Sequence, residues 1–208
     1  MSVQSNKSRK LLYFAFMALV VLVAAYLIDK TGNKKTEEPR QEALKVGVHS
    51  EGFNRSVDTL LQAYFAQKDA FVEWDTVKVK QSLGALLAAL DRFPVEELRK
   101  DSMAVYETVK QQIADIRANA ESIALQTNIT EMRQDFRMVS ENLYPLLKTI
   151  RYNGSTLYWQ NCPMAFGDDK GASWISNSEE IVNPYLGKFD PTYKSGMLHC
   201  GEVLDSIR

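Results

Sequence analysis

Cysteine and histidine are scarce in this chain of 208 residues, which holds only Cys162 and Cys200, and only His49 and His199. Two cysteines exclude a disulfide-dense mini-scaffold and any site that takes four cysteines from one chain. No histidine lies between Glu51 and Leu198. The Glu-x-x-His pairs of carboxylate di-iron bundles therefore cannot be built there. Charge of one sign is missing too, since 25 Lys and Arg stand against 26 Asp and Glu. That balance lacks the basic footprint of a nucleic-acid binder and is too mixed for a disordered acidic tail. No P-loop, nucleophile elbow, zincin helix or CxxC pair occurs, so no motif points to an enzyme. The length suits one ordinary globular domain with appendages.

Against these absences stands one long uncharged run, Leu11 to Ile28, reading LLYFAFMALVVLVAAYLI without proline or glycine. As a helix it covers about 27 Å, close to the roughly 30 Å hydrocarbon core of a bilayer. Lys7, Arg9 and Lys10 precede it and Val23-Ala24-Ala25 offers a cleavage site, as in a signal peptide. The run exceeds the roughly 7–15 apolar residues of a signal peptide, which favours an uncleaved transmembrane anchor. Residues 1–10 are then a cytoplasmic tail and the remainder faces the periplasm from the inner membrane; cleavage would instead release it there. Residues 29–55 turn polar, without a sustained apolar period, and read as a linker in which His49 is solvated.

From Ser56 the apolar residues recur with helical spacing. Val57, Leu60, Leu61, Tyr64, Phe65 and Val72 mark one face, and Val79, Leu83, Leu86, Leu87 and Leu90 a second, behind Asp75 as its cap. Tyr106, Val109, Ile113, Ile116, Ala120 and Ile123 form a third. Asn128 with Glu131 resembles a capping box ahead of Met132, Phe136, Val139, Leu143, Leu146 and Ile150. Pro145 predicts a kink in that last helix. Met103, Met132 and Met138 read as core filler. The expected fold is mainly α: an antiparallel bundle of about four helices over residues 56–150, behind an N-terminal transmembrane helix. Residues 151–208, with six of the ten glycines and two of the three tryptophans, predict an irregular, turn-rich segment packed on the bundle as part of one domain.

That tail carries both cysteines, each beside a methionine, in Cys162-Pro163-Met164 and Met197-Leu198-His199-Cys200. Residues two or three apart in an extended or turning chain can offer both side chains to one point. Two thiols and two thioethers make a soft donor set suited to Cu(I), with His199 as a fifth candidate ligand. The same pair in an exported domain also suits a structural disulfide, or two unpaired buried thiols. Spacing alone leaves all three readings open.

Four ordered blocks then resemble a known family: Cys162-Pro163-Met164; Gly171-Ala172-Ser173-Trp174-Ile175-Ser176; Asn183-Pro184-Tyr185-Leu186-Gly187; and Met197-Leu198-His199-Cys200-Gly201-Glu202-Val203. The pattern of a CPM motif, a GAxWLS-like turn, an NPYxG turn and a terminal MLxCGEV is that of a bacterial family of small exported helical domains. Its members stand alone or are joined to CusB-type membrane fusion proteins of heavy-metal efflux. The resemblance implies Cys162, Met164, Met197 and Cys200 as metal ligands. The resulting expectation is a membrane-anchored, periplasm-facing domain, not an enzyme, that binds Cu(I), or Ag(I) or zinc in its place, for delivery, buffering or efflux. Its expected partners are the bilayer, through residues 11–28, and components of a heavy-metal efflux system, with no nucleic acid. The alternative is a disulfide-stapled helical interaction or sensor module without metal.

Overall fold

A computed structural model describes residues 49–208 and, ahead of them, residues 16–19, 22, 23 and 26, which are helical. The chain divides into two compact units, Met1–Ala43 and Leu44–Arg208, and the second contains everything described below.

Four α-helices follow one another: α1 (Glu51–Val72), α2 (Thr76–Asp91), α3 (Met103–Leu125) and α4 (Ile129–Thr149). A short 3-10 helix at Val95–Lys100 joins α2 to α3, after the Phe93-Pro94 break. Each α-helix starts on a side chain that satisfies its first free amides. Ser50 accepts from the amide of Phe53, Asp75 from Val77 and Lys78, Ser102 from Val105, and Asn128 from Glu131. Ser50 is itself clasped by the Glu97 carboxylate, through its amide and its hydroxyl at 2.7 Å each. We expect Asp75→Ala, which frees two of these amides, to lower stability by about 1 kcal/mol, read as a shift in the denaturation midpoint.

Consecutive helices pack on one another, as short connections between antiparallel neighbours require. Stacking of Tyr64 of α1 on Phe136 of α4 closes the bundle. Every position of the expected third and fourth stripes is buried. Two details differ from expectation. Helix α1 begins at Glu51, inside the stretch read as linker, and His49 is half-buried: it stacks on Phe53 and its Nε2 bonds the Ile150 carbonyl at 3.0 Å. Met103 is exposed at the start of α3, whose first turn instead buries Val105 and Tyr106. Helix α4 continues through Pro145 to Thr149.

The fold class needs correcting in two respects. The tail is not irregular: it folds into a three-stranded antiparallel sheet of β1 (Leu157–Cys162), β2 (Ala172–Ser176) and β3 (Glu202–Ile207), in the order β2-β1-β3. β2 is buried along its whole length and packs on α4. β3 is exposed for most of its length and is pinned to α4 by Asp205, which accepts from Tyr144 and, at 2.8 Å, from Lys148. These bonds, Lys148's first, hold the Asp205 carboxyl down at about 2.

The second correction concerns the membrane. Among the described residues no helix is long and apolar enough to cross a bilayer. Helix α3 has 23 residues, enough in length, but Glu107, Lys110, Asp115, Arg117 and Glu121 make it apolar on one side only. The anchor expected at residues 11–28 otherwise lies outside the described residues. The expected transmembrane helix, bilayer partner and inner-membrane or periplasmic location are corrected accordingly.

Candidate functional site

Strand register builds the site. β1 is the central strand, and its last pairs are Cys162 with Ala172 on one side and Asn161 with Glu202 on the other. One step beyond the second pair, Cys162 faces Gly201, which takes φ +146. A side chain there would meet the Asn161 carbonyl at 2.6 Å and the Trp174 ring at 3.2 Å. Only glycine allows this approach, and it turns the chain so that Cys200 lies on Cys162.

The two sulfurs are 3.2 Å apart. Both are free thiols. Cys162 is fully buried and Cys200 half-buried. Burial, and then the facing Cys162 thiol, push the Cys200 thiol up to about 11. Both effects disfavour a charged sulfur beside its partner.

Asn183 sets Cys200 in place from the other side. Its Nδ2 donates to the Cys200 carbonyl at 3.0 Å, while its Oδ1 accepts from the amides of Tyr185 and Leu186. The same residue's amide bonds the Leu198 carbonyl at 2.8 Å, and the Cys200 amide closes a turn onto Met197. Below this turn Tyr185 is buried and donates to the Ser173 carbonyl at 2.7 Å. Gly201 makes the turn expected of a glycine directly after Cys200, whereas Asn183 is a positioning residue that reasoning on ligand types missed. Asn-Pro as a turn former was the signal for Asn183.

The five expected ligands have different fates. Cys162 and Cys200 meet. Met164 and Met197 are both partly buried against the hydrophobic core. His199 is exposed, with its Nδ1 bonded to the Ile181 carbonyl at 2.7 Å, so that nitrogen acts as the donor and has no lone pair to offer. Among the described residues no group of three or more His, Cys, Asp and Glu side chains could hold a metal ion. The expectation of Cu(I), Ag(I) or zinc as cofactor, and of metal delivery or efflux as function, is corrected accordingly. So is the permanent staple, since the thiols touch without a bond between them.

A family model described as a protein of unknown function, DUF3347, matches residues 60–154. Those residues are similar to that family. They run from within α1 to just past α4, so the similarity covers the bundle, and the thiol pair lies beyond it. No curated protein and no solved structure matches the chain.

Proposed function

We propose that the domain is a non-catalytic module that responds to thiol redox state, with Cys162 and Cys200 as its sensing pair. The observation that carries this is the 3.2 Å sulfur–sulfur contact in the reduced protein. Closing the bond needs a shift of about 1 Å, to the roughly 2.05 Å of a disulfide. The two thiols lose two protons and two electrons, and an external disulfide takes them up and becomes two thiols. Oxidation ties the end of β1 to the turn that feeds β3, the edge strand that hydrogen bonds to β1, the Asp205 contacts and the buried Ile207 also hold. The raised Cys200 thiol disfavours rapid oxidation and suits a slow response over a standing reactive nucleophile.

The pair is 38 positions apart in sequence. In the chain-entropy account, closing such a loop adds roughly 3–4 kcal/mol to stability. At roughly 2–4 °C per kcal/mol for a domain of this size, the thermal midpoint of the oxidised protein should rise clearly. The test equilibrates the protein in graded mixtures of reduced and oxidised glutathione and counts thiols by alkylation and mass spectrometry. A single internal disulfide that forms and reopens with the buffer, together with the raised midpoint, supports the proposal. Thiols that stay reduced in buffers that oxidise the denatured chain would overturn it.

A further inference from the structure

We infer that the pair is asymmetric, with Cys200 the entry thiol for a low-molecular-weight disulfide and Cys162 the thiol that resolves the mixed disulfide. The inference rests on the redox reading above and adds to it a substrate class and an order of events. Access decides the order. Cys162 has no exposed surface, standing in the central strand between β2 and the β3 turn, so an incoming disulfide cannot reach it. Cys200 lies in the Met197–Cys200 turn and is partly open to solvent. It is the only one of the two sulfurs that an outside reagent can meet.

The steps balance. Cys200 loses its proton to solvent, its sulfur attacks one sulfur of the disulfide, a new S–S bond forms, and the other half leaves as a thiolate that takes up a proton. Cys162, already 3.2 Å away, then loses its proton and attacks the Cys200 sulfur. The second small thiolate leaves and is protonated. Two protein thiols and one disulfide become one protein disulfide and two small thiols.

The same burial that slows the first step helps it run forward. A thiolate of high basicity is the stronger nucleophile, and a small thiol of ordinary acidity, near 8.5, is the better leaving group. In both steps the bond that breaks therefore releases the small thiol. The groups around Cys200 are Cys162 from β1 and, along its own chain, His199, which is bonded to Ile181, and the exposed Glu202. With the thiol held at about 11, the reactive thiolate is a minor species at neutral pH. Its share, and the rate of entry with it, should grow about tenfold for each pH unit between 7 and 9.

Oxidised glutathione serves as the probe, with every product read by intact-mass spectrometry and peptide mapping. Folded Cys162→Ser is expected to accumulate one glutathione on Cys200, at a rate that climbs steeply with pH. Folded Cys200→Ser is expected to leave Cys162 unmodified over the same exposure, and to accept glutathione on Cys162 once denatured. Circular dichroism of both variants establishes that they are folded before exposure. Modification of Cys162 in folded Cys200→Ser as fast as that of Cys200 in the other variant would overturn the asymmetry. So would a folded Cys162→Ser that stays unmodified while its denatured form reacts. Failure of the underlying reading looks different: the unaltered protein would then hold a lasting glutathione adduct on Cys200 without ever forming the internal bond.

Discussion

Phe136→Ala is expected to lower stability by about 3–5 kcal/mol, the range for emptying a large aromatic site in a close-packed core. The ring is fully buried on α4, with its centroid 4.7 Å from that of Phe71, 5.4 Å from Tyr64 and 6.0 Å from Tyr185. Two of these partners belong to α1 and the third to the turn headed by Asn183. Alanine therefore leaves a void where α1, α4 and the tail meet. Tyr64 adds to the rigidity of the junction, because its buried hydroxyl bonds Ser140 at 2.7 Å and receives the Ile175 amide of β2. Burial pushes its ionisation well above the ordinary tyrosine range, so it stays a neutral link. The measurement is chemical denaturation, in which the midpoint should fall while the slope holds. A loss below about 1 kcal/mol would mean that the surrounding rings collapse into the space, contrary to the packing described.

Arg133→Met is expected to cost about 3 kcal/mol or more, for an electrostatic reason instead of a packing one. The Arg133 guanidinium is almost wholly buried, lies 4.2 Å over the Trp74 ring, bonds the Tyr185 carbonyl, and faces Asp190 at 4.0 Å, itself buried to the same degree. Burial brings its ionisation down to about 10, against the opposing pull of Asp190, so it remains charged at neutral pH. Removing the cation strands the Asp190 carboxylate in the interior, with the amides of Thr192 and Tyr193 as its partners. Adding Asp190→Asn, which keeps the acceptor and removes the charge, should recover most of the loss. A double variant no more stable than Arg133→Met alone would show that the stack on Trp74 matters and the ion pair does not. Trp74 itself sits at φ +58, a left-handed position costly for a large side chain, and the Arg133 stack gives that conformation a structural reason.

The helical half of this architecture was legible because its signals are long and redundant. The 16 to 23 residues of each helix repeat the apolar period many times, and a side chain such as Asp75 or Asn128 marks its start by chemistry that acts within three residues. The strands were not legible in the same way. β1, β2 and β3 have 6, 5 and 6 residues, too few for two-residue alternation to stand out. Burial also hides what alternation there is, since all of β2 is inside. His49 and Met103 show the limit at single positions, where exposure depends on which distant surface comes near: Ile150 for the one, open solvent for the other.

The candidate site divides along the same line. The pairing of two scarce cysteines with each other was among the readings that composition allowed, and the Asn183-Pro184 turn and Gly201 were visible as chain-bending signals. Their consequence depended on the register of β1 against β3, which joins segments 40 positions and more apart and aligns Asn161 with Glu202. Amino-acid order alone pointed to four amphipathic helices, caps at Asp75 and Asn128 for two of them, a bundle to hold them, and Cys162 and Cys200 as the scarce pair of the tail. Tertiary structure alone decided that these two thiols touch, that His199 is turned to Ile181 instead, and that one cysteine is sealed while the other is half-buried. Local periodicity and capping act over a few residues and are written in sequence, whereas contact, burial and ionisation arise only when distant segments exclude water together.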